Sequence, residues 1–226
     1  LKNLSIDITS TTASIQGFGN VAEYAARKYS QLGGKVVAIS CWDNTDKKSY
    51  TYQNLDGIYI EKMATIKDSY GTIDQEKATA LGCTKLDGDA WLAQDVDILI
   101  PAALENQINA SNFDKVSPQV KVLCEAANGP TSPDVDPLIK ERGIFLIPDF
   151  LCNAGGVTCS YFEQVQCNQN YFWSKEEVLE KLDFKMTTAF HAVHNLAEEN
   201  DLYMRDAAYV IAIKRVAEAV TLRGWV

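Results

Sequence analysis

Short apolar runs alternate with helix-forming segments along the first two thirds of the chain. Residues 13–15 form the first run, and 23–29 favour a helix. Gly33-Gly34 stops that helix, and 35–40 reads as a buried strand. Residues 50–53 alternate like a short exposed strand, Asp56-Gly57 makes a turn, 58–70 has the spacing of an amphipathic helix, and 75–81 of a shorter one ended by Gly82. Further core strands are expected at 95–101, 120–124 and 144–148, with a helix from Pro133 to about 142. The remainder reads as helix only: 153–169, then a segment capped by Ser174 and running to 199, then 207–222. In that last segment Val210, Ile213, Val216, Ala217 and Val220 are expected to form one buried face.

Between the first strand and the first helix lies Gln16-Gly17-Phe18-Gly19-Asn20-Val21-Ala22. This is Gly-x-Gly-x-x-Ala, flanked by strand and helix signals on the sides a dinucleotide turn requires. Gly17 permits the tight turn, Gly19 lets backbone approach a pyrophosphate, and Ala22 allows close helix–strand packing. The helix N-terminus then offers free N–H groups and the positive end of its dipole. Strands that alternate with helices around such a turn predict an α/β, Rossmann-like doubly wound fold. The sheet is mostly parallel and is followed by C-terminal helices.

The second strand ends Ser40-Cys41-Trp42-Asp43, with Lys47 and Lys48 close behind. An acid there suits the ribose hydroxyls of NAD, whereas lysines suit the extra phosphate of NADP. Solvated turn residues are the bland alternative. Two later strand ends are followed by small and polar residues that leave room for a ligand: Ala102-Ala103-Leu104-Glu105-Asn106-Gln107 and Glu125-Ala126-Ala127-Asn128-Gly129.

The 226 residues are 46% apolar and 23% charged, which supports a sizeable core. A net charge of -9 argues against nucleic acid or an anionic membrane as partner. No apolar run approaches the ~20 residues of a membrane span, and the start lacks a secretory pattern. The six cysteines form no Cys-x-x-Cys pair and read as reduced thiols of a reducing compartment, mostly small core residues. His191 and His194, at i and i+3, have no evident third ligand, so packing or exposure is expected and no metal. With a helix starting near Asn153, the side chains of Asn153, Val157 and Ser160 fall on one face. Asn153 suits a carboxamide partner, and Gly155-Gly156 allows a flat ring to approach.

Four motifs in order, with the ending Arg223-Gly224-Trp225, resemble the glutamate dehydrogenases. They are Gln16 to Val21, Pro101 to Ile108, Ala126 to Thr131 and Asn153 to Thr158. The resemblance covers nearly the whole chain. It implies the C-terminal cofactor-binding domain of an enzyme that deaminates L-glutamate to 2-oxoglutarate and ammonia, with NAD, or alternatively NADP, taking the hydride. It also implies a cytoplasmic homohexamer as the full-length enzyme. By matching position, Asn20 and Val21 meet the pyrophosphate, beside Gly17, Phe18 and Gly19. Ala102, Ala103 and Gln107 flank the cofactor, Asn128 meets the nicotinamide ribose region, Asn153 the carboxamide, and Val157 and Ser160 face the substrate. Related leucine, valine and phenylalanine dehydrogenases carry an apolar residue in place of Ser160, whose hydroxyl can bind a γ-carboxylate.

The chain departs from the family at Cys41, where an acid is usual, so the ribose role is expected to fall to Asp43. The family's catalytic lysine and aspartate belong to an N-terminal domain, so no catalytic residue is assigned in this chain. The chain alone is expected to be inactive. Residues 1–200 are expected to form the cofactor domain and 201–226 a helix returning toward the catalytic domain. The alternatives are a non-catalytic nucleotide-binding module and a branched-chain amino acid dehydrogenase.

Overall fold

The computed structural model describes residues 1–225, apart from the side chain of Lys2. The chain divides into two compact units, residues 1–145 and 146–226. Val226, the last residue of the expected terminal segment, lies outside the described residues.

The first unit is built on a glycine-punctuated strand–helix–strand repeat. β1 (Thr12–Gln16) leads through the glycine turn into α1 (Asn20–Gln31), which returns to β2 (Lys35–Asp43). The helix forms because Ala22, Ala26 and Tyr29 fall at i, i+4 and i+7 and are buried together. At its far end the Tyr29 hydroxyl lies 2.6 Å from Thr11 Oγ1, so the aromatic ring is buried with its polar tip satisfied. β3 (Lys48–Gln53), β4 (Thr84–Asp87), β5 (Ile98–Pro101), β6 (Val122–Cys124) and β7 (Phe145–Ile147) complete a seven-stranded sheet in the order β4-β3-β2-β1-β5-β6-β7. The chain passes from the first unit to the second within β7.

The sheet is mixed. β1 pairs in parallel with β2 on one side and β5 on the other, and β5 pairs in parallel with β6. β2–β3 and β3–β4 are antiparallel. The predicted α/β fold stands, with a parallel centre and an antiparallel extension. Connections leave β1 in opposite directions, which makes its carboxyl end the topological switch point where open α/β sheets bind ligands.

Three expectations in this unit are revised. The helix expected over 58–70 is α2 (Ile60–Thr65) only. Beyond it Lys67 and Ile73 form an antiparallel bridge, and the Asp68 carboxylate accepts from the backbone of Tyr70 and Thr72. A side chain that supplies its own turn competes with the helix ladder and ends it. α3 (Gln75–Ala80) follows, capped by Asp74. The second revision is β4, whose Thr-Lys-Leu-Asp sequence carries no apolar run. The third is β2, which continues through Trp42 to Asp43 because β3 pairs with it along that length.

The 133–142 helix is a 3-10 turn, Pro133–Val135, leading into α4 (Asp136–Glu141). The second unit consists of the end of β7 and α5 (Asp149–Cys152), α6 (Gly155–Gln169), α7 (Lys175–Asn200) and α8 (Met204–Leu222). Ser174 caps α7 as expected, its hydroxyl accepting from the Glu177 N–H at 3.2 Å. Phe162 of α6 meets Trp173 edge-on at 5.7 Å, beside Gln166, which accepts from the Trp173 N–H. In α8 the buried residues are Met204, Ala207 and Ala208, while Val210, Ile213 and Val216 are exposed. The face expected to be buried is therefore the open one. α8 is apolar on several sides, so its periodicity leaves the choice of inward face open, and small alanines take it.

Candidate functional site

The turn between β1 and α1 sits at the switch point. Gly17 adopts φ +99°, and a Cβ there would meet the Ala102 carbonyl oxygen at 2.8 Å. Its N–H donates to the Ser40 carbonyl at 2.5 Å, which ties the turn to the end of β2. Only glycine meets both the positive φ and the close approach. Gly19, with open space around it, caps α1 with no side-chain hydrogen bond. The first N–H groups of the helix are thus left without a side-chain cap, an arrangement that suits an anion.

A cavity of about 410 Å³ opens on this turn. Gln16, Gly17, Phe18 and Gly19 form its floor, and Ala102, Ala103 and Gln107 one flank. The structure therefore brings together six of the residues expected around a cofactor: Gly17, Phe18, Gly19, Ala102, Ala103 and Gln107. Phe18 contributes backbone, since its ring is buried in the core. Asn20 and Val21 follow as the first residues of α1, both exposed. The Gln16 side chain donates to Gln107 at 2.6 Å. Its carbonyl oxygen is buried and, among the described residues, unpartnered. A buried acceptor without a donor fits a hydroxyl-bearing ligand.

Ser40 and Cys41 also line the cavity, so the position where the family usually carries an acid does face it, and further lining comes from residues that sequence reasoning missed. Trp42, 51% exposed, lines the cavity from β2 with Ser49 beside it, and Tyr70 and Gly71 line it from the loop after α2. Gly71 (φ +88°) lies against the turn itself, where a Cβ would stand 3.3 Å from the Phe18 carbonyl oxygen.

Asp43 lies elsewhere. It is 4% exposed and lines a separate cavity with Asp46, Lys67 and Gln75. Its carboxylate accepts from the Thr45 and Asp46 N–H groups at 2.8 and 2.9 Å and from the Gln75 amide at 2.8 Å. Burial alone would raise its pKa, but these donors outweigh burial and hold it below the ordinary carboxylate value. Cys41 is buried, and desolvation pushes its thiol up to about 12. Lys47 and Lys48 belong to the β2–β3 hairpin and do not line the glycine-turn cavity.

Asn128 is exposed in the loop after β6. In the second unit Asn153 caps the end of α5, donating its N–H to the Asp149 carbonyl at 2.8 Å. It precedes α6 instead of starting it, so the expected common helical face of Asn153, Val157 and Ser160 reduces to Val157 and Ser160, both exposed at i and i+3 of α6. His191 and His194 both pack against the Phe190 ring.

A mixed α/β sheet with a glycine turn at its switch point and a helix N-terminus beyond defines a Rossmann-like fold. The family model Glutamate/Leucine/Phenylalanine/Valine dehydrogenase matches residues 1–224, and the chain belongs to that family. It is 42% identical over 222 residues to an NAD-specific glutamate dehydrogenase of Clostridioides difficile, covering 98% of this chain and 51% of that protein. The crystal structure of glutamate dehydrogenase from Peptoniphilus asaccharolyticus matches with TM-score 0.81 at 36% identity, over 100% of this chain and 50% of that one. The hetero-hexameric glutamate dehydrogenase from Thermus thermophilus, in a Leu-bound form, matches with TM-score 0.85 at 25% identity over 98% and 50%. The chain thus spans about half the length of the relatives it matches.

Proposed function

We propose that this chain is the NAD-binding half of a glutamate dehydrogenase, the C-terminal part of an enzyme that oxidatively deaminates L-glutamate to 2-oxoglutarate and ammonia. The observation that carries the reading is the glycine turn at the switch point, with a 410 Å³ cavity over it and an open helix N-terminus beyond. NAD-specific naming of a relative at 42% identity supports NAD over NADP. So does the absence of Lys47 and Lys48 from the cavity lining.

In this reading the Gly17, Phe18 and Gly19 backbone and the N–H groups of Asn20 and Val21 hold the pyrophosphate. Gln16 offers its unpartnered oxygen to a hydroxyl, and Ala102, Ala103 and Gln107 close one flank. Asn128 serves the nicotinamide ribose and Asn153 the carboxamide. Bound NAD would supply the hydride acceptor. The chain's own residues bind and orient it, and Val157 and Ser160 present a small apolar contact and a hydroxyl to the substrate. Asp43 is read as holding the β2–β3 turn instead of the ribose, because it accepts from that turn and lines a different cavity from the one over the glycine turn.

The proton chemistry is assigned to the other half of the enzyme, and this chain alone is inactive. Residues 1–200 act as the cofactor domain, and the segment from 201 onward, with its open Val210, Ile213 and Val216 stripe, is covered by that other half. The full-length protein is a cytoplasmic homohexamer. No helix among the described residues is long and apolar enough to cross a membrane.

The test is an assay of the full-length protein with NAD or NADP and with glutamate or leucine. Glutamate-dependent NADH formation is expected. Activity on leucine with none on glutamate would replace the glutamate assignment, and tight binding of NADP alone would replace NAD.

A further inference from the structure

The loop between α2 and α3 touches the glycine turn at two points. Gly71 packs its backbone against Phe18 and Gly19. Lys67 reaches the turn from the other end of the loop, and its ammonium donates to the Phe18 carbonyl at 3.1 Å and pairs with Glu23 at 2.5 Å. Both side chains are largely buried, 16% and 14% exposed. Glu23 is one turn into α1, and Arg27 binds its second oxygen at 2.9 Å.

This carboxylate faces two demands. It stabilises the N-terminal turn of α1 through the helix dipole, but it places a negative charge within a turn of the end where a diphosphate would dock. Two cations on one carboxylate resolve the conflict, and Lys67 is the one that also grips the turn. The ammonium beside it holds the Glu23 carboxyl below its ordinary value, against a smaller opposing effect of burial.

We propose that Lys67 is a positioning residue for the diphosphate of the cofactor: it masks Glu23 and fixes the Phe18 carbonyl, so that the first N–H groups of α1 meet the phosphates without repulsion. The proposal rests on the dinucleotide reading above. It does not require Lys67 to touch the ligand.

The experiment measures affinities of the full-length protein for NAD and for adenosine, which lacks the diphosphate. Lys67→Met is expected to weaken NAD on the order of tenfold, the range of helix-terminus charge effects, and to leave adenosine unchanged. Adding Glu23→Gln to Lys67→Met is expected to restore most of the loss, and Lys67→Arg to retain affinity. An unchanged NAD affinity in Lys67→Met overturns the proposal. So does an equal loss for both ligands that Glu23→Gln does not relieve, since that pattern marks a structural residue. If Lys67→Met does not fold, Glu23→Gln alone decides: NAD binding should tighten severalfold at low salt and less at high salt, and no change overturns it. A wild-type protein that binds no dinucleotide rejects the functional reading itself, and this proposal with it.

Discussion

At the scale of single residues, the side chains that look most like ligands are those whose neighbours leave them nothing else to do. Asp43 has the charge for a ribose ligand, but its carboxylate accepts from Thr45, Asp46 and Gln75 and it lines a cavity other than the one over the glycine turn. On the reading that it holds the turn, Asp43→Ala is expected to lower unfolding stability by about 1 kcal/mol, the cost of losing part-buried hydrogen bonds, with NAD affinity unchanged. Denaturation and ligand titration of the same variant check both halves. Gly17→Ala should do the reverse in proportion, costing ~1–2 kcal/mol for a non-glycine residue at positive φ and abolishing NAD binding, because its Cβ displaces the Ala102 carbonyl. The cysteines divide in the same way. Cys41 is buried with its thiol pushed up to about 12, whereas Cys167 is exposed. Thiol labelling of native protein should modify Cys167 first and Cys41 only on unfolding.

At the scale of elements, the long periodic segments and the buried strands were legible because each carries its own signal. β1, α1 and the parallel strands β2, β5 and β6 stand within a few residues of where the pattern puts them. The shortfall of α2 had a readable cause in Asp68, but the cause is a side-chain turn, which competes with a helix only when the backbone is free to take it. β4 was not legible at all. An edge strand of four mostly polar residues is defined by its partner β3, and pairing is not a property of the segment.

At the scale of the whole chain, many acidic groups are held below their ordinary pKa by local donors or cations, among them Asp7, Glu23, Asp43, Asp68, Asp74 and Asp97. A carboxylate depressed in the folded state adds stability that is fully present above its unfolded pKa, near 4, and is lost as pH falls through the folded value. The midpoint of urea unfolding is thus expected to be flat from about pH 6 to pH 8 and to drop steeply below about pH 4. A midpoint rising on acidification would contradict these shifts.

The sequence by itself determined the α/β alternation, the glycine turn and the family, because spacing, helix caps and residue size act over a few residues and survive without a partner. Tertiary structure decided which wall faces the turn. Trp42 and Tyr70 come to one cavity, Asp43 is diverted to another, and Lys67 reaches Phe18 and Glu23 across more than forty residues of chain. It also decided which side of α8 turns inward, since an apolar helix offers several faces and only a packed neighbour selects one. These are choices among long-range pairings, where loop closure and competition for each polar group set the outcome, and neither is written in the spacing of residues along the chain.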